Sequence, residues 1–312
     1  MRATQLYSVI EQDQIVSKVD GSSGPAPSAT APESSAESIS SPLSNPFEIS
    51  QEKIVETPED EELAVAESVE DLPLINVYIT ETVHVLSKAG EAEKSVIWGE
   101  IGIDYKGPAT SATPICFQID HQQPLDSIET TDYADILDGY TLQDNIFKIN
   151  TQLYHENKNF DNYAVVCIKY QTKLDHLPIT VKPVWKCEAE KSRLLVKYHT
   201  NTAVALDKVM FATSITGNVQ NALSIPAGEL VLSQNRIKWH LGGILDNSEN
   251  VIKAQFTTLE QASPQPIAVR FEIKDHLLSS LNVQHGTDAL VLWAKICNTT
   301  KIVKAGKYIA HV

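Results

Sequence analysis

The sequence predicts an all-β protein: elongated, built of sandwich layers, and preceded by an acidic leader that does not fold by itself. Three observations carry this expectation. Past residue 73 the apolar side chains recur with period two, the spacing that puts alternate residues on one face of a strand. Short clusters of turn-forming residues separate these runs. Charge then divides the chain. Residues 1–72 carry three basic and fifteen acidic side chains, a net of −12, whereas residues 73–312 carry 22 basic and 25 acidic ones, a net of −3.

Within the leader, Gly21 to Ser44 is dominated by Ser, Ala, Pro and Gly. Too few apolar groups are present to offset an ordering entropy of roughly 1–2 kcal/mol per residue, so the stretch is expected to stay disordered. Asn45-Pro46-Phe47 follows: proline fixes a turn, asparagine bonds its own backbone, and phenylalanine projects as one apolar anchor. The tripeptide resembles the ligand of EH domains, modules of endocytic scaffold proteins. Thr57-Pro58-Glu59-Asp60 reads as a helix start, with Thr57 as N-cap and Pro58 at the first position, and predicts a short helix near 58–70 on Leu63, Ala66 and Val69. The leader as a whole reads either as a solvating spacer or as an acidic peptide that docks on a basic surface, of a partner or of its own body. Ser41-Pro42 and Thr57-Pro58 are candidate proline-directed phosphorylation sites.

In the body, Val77, Ile79, Val83 and Val85 share one parity, as do Ile97, Ile101, Ile103 and Tyr105, then Ile115, Phe117 and Ile119. Ala164, Val166, Ile168 and Tyr170 continue the pattern, followed by Leu194, Val196 and Tyr198, and by Ile237, Trp239 and Leu241. Ile252, Ala254 and Phe256 come next, then Ile267, Val269, Phe271 and Ile273. Such alternation predicts half-buried antiparallel strands. Turns are expected at Lys106-Gly107-Pro108, Asp138-Gly139, Thr216-Gly217-Asn218, Pro226-Ala227-Gly228, Gly242-Gly243 and His285-Gly286. Gly99 and Gly102 fall inside a strand, where a bulge or close backbone approach is the expectation. Asp126–Asp138 lacks the alternation and reads as a helical turn or a loop.

Reactive constellations are sparse. Nine histidines are scattered without metal-ligand spacing, and no nucleophile elbow or phosphate-cradling glycine loop occurs. Cys116, Cys167, Cys187 and Cys297 stand far apart, the pattern of reduced thiols rather than a disulfide framework. Asp135 and Asp138 read as solvated loop carboxylates. The sequence therefore argues against an enzyme and implies neither cofactor nor metal. No apolar run approaches the 18–20 residues of a membrane span, and a cytoplasmic, peripheral location is expected.

Positive charge does cluster. Lys169, Lys173, Lys182, Lys186, Lys191, Arg193 and Lys197 fall within 29 residues that contain only Asp175, Glu188 and Glu190 as acids. Residues 289–312 hold Lys295, Lys301, Lys304 and Lys307 and no acid. Basic strands in an acidic chain suit anionic lipid head groups or acidic peptides, or a solvated outer face guarded by lysine. Nucleic acid is a poor partner for a chain of pI near 5.0.

An ordered series of motifs adds a family. Lys169-Tyr170, Leu177-Pro178, Ile179–Lys186, Trp185-Lys186-Cys187 and Leu194–Val196 are followed by Ile237-Lys238-Trp239, Lys253–Phe256, Ile267–Phe271 and Gly306-Lys307-Tyr308. The series resembles the C-terminal μ-homology domain of the muniscins, endocytic adaptors, over essentially 73–312. The resemblance implies two β-sandwich subdomains, one of residues 73–180 and 279–312, the other, 181–278, inserted into it. It implies binding of transmembrane cargo tails, scaffold proteins and the clathrin adaptor complex at plasma-membrane endocytic sites. Two departures accompany it. No membrane-bending F-BAR helices are present in this sequence. Clathrin-adaptor medium chains read tyrosine signals partly through Trp-x-Arg, whereas this sequence has Trp293-Ala294-Lys295, and lysine lacks the planar fork of arginine. Trp293 and Lys295 are the candidate cargo-peptide contacts. Alternatives are a medium chain of another sorting complex and a phosphoinositide-binding β-module.

Overall fold

A computed structural model describes residues 74–156, 164–201, 203–244 and 249–312. The leader, with Asn45-Pro46-Phe47 and the helix expected at 58–70, lies outside the described residues. The rest is nearly all strand. A long hairpin of β1 (Leu74–Lys88) and β2 (Glu91–Tyr105) turns at Ala89-Gly90. There follow β3 (Ile115–Asp120), β4 (Ser127–Thr130), β5 (Ala134–Ile136), β6 (Ile146–Ile149), the short helix α1 (Thr151–Glu156) and β7 (Val165–Thr172). Next are β8 (Ile179–Cys187), β9 (Lys191–Thr200), β10 (Leu206–Ser214), β11 (Val219–Ile225), β12 (Glu229–Val231), β13 (Arg236–Ile244) and β14 (Asn250–Thr258). The chain closes with β15 (Ile267–Lys274), β16 (Asn282–Gln284), β17 (Leu292–Trp293) and β18 (Lys295–His311).

One nine-stranded sheet, β12-β13-β10-β15-β18-β1-β2-β7-β4, forms the spine. A four-stranded sheet, β11-β14-β9-β8, covers the β13-β10-β15 end, where Trp185 Nε1 donates to Gln265 O (3.0 Å), Trp239 Nε1 to Ser224 Oγ (3.2 Å), and the Tyr198 and Phe211 rings meet at 5.0 Å. A third sheet, β16-β3-β6-β5 with β17 on β3, covers the β1-β2-β7 end. There Thr131 Oγ1 donates to Val166 O (2.7 Å) and the Tyr154 hydroxyl meets Cys167 Sγ at 2.8 Å. Ile75, Val77, Ile79, Val83, Ile97, Ile101, Ile103, Phe117, Phe147, Phe211, Trp239, Phe256 and Phe271 are all buried in one continuous core.

Four expectations need correction. The first and last strands pair in parallel along nearly their whole length, so the sheet is mixed rather than antiparallel throughout. Residues 126–138 form β4 and β5, two short edge strands whose few residues give alternation too little length to show. Gly242-Gly243 is not a turn: it sits inside β13, where Gly242 takes φ 72° at a register irregularity against β10. In β7 a bulge between the Ile101–Ile168 and Gly102–Val166 pairs buries Cys167 beside Ile168, so Ala164 and Val166 leave the core parity and are only half-buried.

Candidate functional site

The four-stranded sheet presents its outer face in three cross-strand rows. Pairing of β8 with β9 and of β9 with β14 sets Lys182 beside Lys197 and Val251. One step along, Val184, Leu195, Lys253 and Ile225 form the second row; Lys186, Arg193, Gln255 and Leu223 form the third. Period two explains the assembly: Val181, Leu194, Val196, Ile252 and Phe256 turn inward and are buried, so their strand neighbours turn out. The outward side chains are not all polar. Val184 is 53% exposed, Leu223 65% and Ile225 75%, and these side chains border a groove of roughly 670 Å³ together with Lys186, Arg193, Leu195 and Lys253. A strip of exposed apolar residues rimmed by cations makes this face the candidate interaction surface of the described residues.

Its electrostatics favour an anionic guest. Lys186 pairs with Glu188 (2.9 Å) and Lys197 with Glu249 (3.2 Å), both at the margin. A hydrogen bond and the charge of Lys186, with lesser help from Arg193 and Lys191, hold the Glu188 carboxyl below its ordinary value. Lys182, Arg193 and Lys253 form no ion pair with another described residue. The Lys182 side chain lies over the β1–β2 turn so closely that a Cβ on Gly90 would fall 2.2 Å from its Cε. The hairpin tip thus bounds the face at its Lys182 end.

Of the seven basic residues singled out in the sequence, Lys182, Lys186, Arg193 and Lys197 share this face. Lys191 joins them at the same parity, half-buried where β9 opens, in a further row with the exposed Thr257. Lys169 belongs to the nine-stranded sheet, exposed between Glu100 and Glu129 on its neighbouring strands, and Lys173 follows the end of β7. Sequence reasoning missed Leu223, Ile225, Val251 and Lys253. The available signal was Leu223 and Ile225 alternating with Ala222 and Ser224, bulky apolar residues at the parity opposite to the core.

Trp293 is half-buried in β17. Its indole rests on Gly286, where a Cβ would lie 2.1 Å from Cη2, and its N–H donates to Asp288 O (2.9 Å). Lys295 is exposed at the start of β18, beyond the buried Ala294. Asp135 and Asp138 share Lys148 (4.0 and 3.0 Å) on the surface. Among the described residues no three His, Cys, Asp or Glu side chains converge as a metal site, no cysteines are bonded, and no helix is long and apolar enough to cross a membrane.

Two sheets stacked on one mixed spine, with one outer face apolar and cationic, define an all-β domain of the μ-homology type that offers a strand surface. The chain belongs to the muniscin C-terminal μ-homology domain family, whose model matches residues 73–311. It is similar to mouse F-BAR domain only protein 2, at 24% identity over 67% of this chain and 30% of that protein. It is also similar to yeast Suppressor of yeast profilin deletion, at 24% identity over 53% of this chain and 19% of that protein. The chain therefore spans less than a third of the length of these relatives. Among solved structures, the zebrafish Fcho1 μ-homology domain with bound Eps15 peptide superposes with a TM-score of 0.63 at 17% identity, over 78% of this chain and 99% of that one. The yeast δ-COP μ-homology domain follows at 0.51 and 10% identity, over 77% and 98%. These likenesses establish the fold.

Proposed function

We propose that this chain is an endocytic adaptor whose μ-homology domain grips acidic, apolar-containing peptides of scaffold proteins on the outer face of the β11-β14-β9-β8 sheet. The observation that carries the reading is the second and third rows of that face, where Val184, Leu223 and Ile225 lie exposed and Leu195 half-buried among Lys186, Arg193 and Lys253. Desolvating the apolar strip supplies affinity, and the cations select acidic partners and speed encounter. The relative of known structure was solved with a peptide from Eps15, which supports peptide capture as a use of this fold. The inserted-subdomain division at 181–278, cargo-tail capture, contact with the clathrin adaptor and the plasma-membrane location belong to the same proposal, as does recruitment of EH-domain proteins by Asn45-Pro46-Phe47. For tyrosine-type cargo, Trp293 is less well placed than its spacing implies, because its ring and N–H already have partners.

The test is calorimetry with a synthetic dodecapeptide alternating Glu with Phe and Leu. Binding lost in Lys186→Glu/Arg193→Glu/Lys253→Glu supports the reading; affinity equal to wild type defeats it. Sedimentation with phosphoinositide-containing liposomes is the parallel arm. Retention on liposomes that the triple variant abolishes, with no peptide binding by wild type, would turn the face over to lipid.

A further inference from the structure

We infer that residues Phe47–Glu56 of the leader occupy this same face intramolecularly and compete with partner peptides for it. The inference rests on the reading of the face as a peptide site and adds its regulation.

Three observations converge on that segment. The first is charge: the segment carries Glu48, Glu52 and Glu56 against Lys53, a net of −2 within a leader of −12, and the face presents Lys182, Lys186, Arg193, Lys197 and Lys253. The second is reach. The leader joins the body at Leu74, where β1 begins, while the face starts near the opposite end of β1, at Gly90 and Lys182. β1 is 15 residues long, so the separation is about 50 Å at roughly 3.3 Å per residue, and about 15 further residues must be drawn out to cover it. The acidic stretch 58–72 is consumed by the span in extended form, so docking gives up the short helix expected at 58–70, and any occupant lies upstream of about residue 58. The third is composition. Phe47-Glu48-Ile49-Ser50-Gln51-Glu52-Lys53-Ile54-Val55-Glu56 is the first segment within reach that combines bulky apolar side chains with acids, whereas 21–44 is mostly Ser, Ala, Pro and Gly. Phe47, Ile49, Ile54 and Val55 suit the strip of Val184, Leu195, Leu223 and Ile225, and Glu48, Glu52 and Glu56 suit its cations.

Tethering sets the magnitude. A linker drawn out over about 50 Å holds its end below the millimolar level of a relaxed one, on the order of 0.1 mM, so a segment of ~10 μM intrinsic affinity weakens a competing peptide about tenfold. Phe47 also closes the Asn45-Pro46-Phe47 tripeptide. A partner that grips this tripeptide removes Phe47 from the face and opens it, so recruitment through the leader and capture by the domain are coupled.

The full chain is compared with Phe47→Ala/Ile49→Ala/Ile54→Ala/Val55→Ala and with the Lys186→Glu/Arg193→Glu/Lys253→Glu face variant. Two readouts are taken: affinity for the Glu/Phe/Leu dodecapeptide, and acetylation rates of Lys186 and Lys253 by mass spectrometry, with Lys295 as the distant control. The expected result is about tenfold tighter peptide binding by the leader variant, faster acetylation of Lys186 and Lys253, and no change at Lys295. Equal affinity and equal acetylation in wild type and leader variant overturn the masking inference, while loss of binding in the face variant keeps the adaptor reading intact. Undiminished peptide binding by the face variant overturns both. Lysine protection that falls on dilution, with dimers in sedimentation, assigns the face to a second copy and overturns the intramolecular contact.

Discussion

Tyr170 on β7 donates its hydroxyl to Glu81 on β1 at 2.9 Å, reaching over Gly99 of the intervening strand β2. The three residues lie in one cross-strand row, and only a residue without a side chain leaves room for the ring: a Cβ on Gly99 would fall 1.9 Å from Tyr170 Cζ. Glu81 is fully buried and also accepts from Leu278 N (2.8 Å), Ser279 N (3.3 Å) and the Ser279 hydroxyl. One carboxylate therefore ties the loop after β15 to the middle of the spine. Gly99→Ala is expected to destabilise the domain by about 1–3 kcal/mol through overpacking, and Glu81→Gln by about 2–4 kcal/mol, because an amide NH₂ replaces one oxygen of a buried carboxylate whose two oxygens together accept from four donors. Chemical denaturation measures both. A Gly99→Ala midpoint equal to wild type would mean that the ring does not occupy that space.

A second linkage explains Gly306-Lys307-Tyr308. Between Val83 and Val85 the β1–β18 register slips, so Gly306 and Lys307 together face His84. A Cβ on Gly306 would lie 2.6 Å from His84 Cε1, the Lys307 amide donates to His84 Nδ1 (3.0 Å), and the buried Tyr308 hydroxyl donates to Ile179 O at the start of β8. Burial, and after it the Lys307 charge, holds the His84 pKa below its ordinary value near 6.5. A base whose pKa is depressed by folding contributes stability that is complete above the unfolded value and is lost as pH falls through the folded one. Thermal melting should therefore weaken below about pH 6.5, and His84→Gln should flatten that part of the curve. A wild-type acid limb that persists unchanged in the variant would exclude His84 as its source.

The core was largely legible in the sequence, because a period of two survives wherever strands are long and one-sided. Val77 to Val85, Ile97 to Tyr105 and Ile267 to Ile273 are buried as their alternation predicts. What alternation misses is whatever interrupts it. The Cys167 bulge and the Gly242 irregularity shift parity within a strand, and β4 and β5 are too short to show any. The site was half legible. Lys182, Lys186, Arg193 and Lys197 stand close in sequence because β8 and β9 form a hairpin, whereas Leu223, Ile225 and Lys253 arrive from strands whose pairing only the tertiary fold decides.

Thiol chemistry should separate the four cysteines. Burial pushes the Cys116 thiol up to about 11, opposed slightly by Lys148, and the Cys167 thiol likewise up to about 11. Both side chains are buried, Cys187 is half-buried and Cys297 is exposed. The thiolate is the nucleophile, so iodoacetamide at pH 8 should modify Cys297 first and Cys187 next, leaving Cys116 and Cys167 until denaturant is added. The same shifts carry a sign for stability. An acid whose pKa folding raises contributes fully below its unfolded value and is lost as pH climbs to the folded one, so melting should weaken between about pH 9 and 11. Rapid alkylation of Cys167 in native protein would contradict its burial.

The two sides of the four-stranded sheet should respond oppositely to mutation. Phe256 on β14 is fully buried and stacks with Trp185 at 5.7 Å, so Phe256→Ala is expected to cost about 3–5 kcal/mol. Leu223 and Ile225, on the adjacent strand β11, have little to lose on folding, and Leu223→Ser/Ile225→Ser should leave stability within about 0.5 kcal/mol per site. In peptide binding the order reverses. The surface pair should lose about tenfold in affinity, equivalent to about 1.4 kcal/mol, since the apolar strip is covered only when a peptide lies on it. Salt separates the remaining contribution: raising ionic strength from about 0.05 to 0.5 M should weaken wild-type binding through Lys186, Arg193 and Lys253, and should weaken the Leu223→Ser/Ile225→Ser variant by a similar factor, because the charges and the apolar strip act at different atoms. Denaturation midpoints together with calorimetric titrations at two salt concentrations decide the matter. A surface variant that melts early, or binds as tightly as wild type, would place Leu223 and Ile225 in the scaffold and remove them from the docking face.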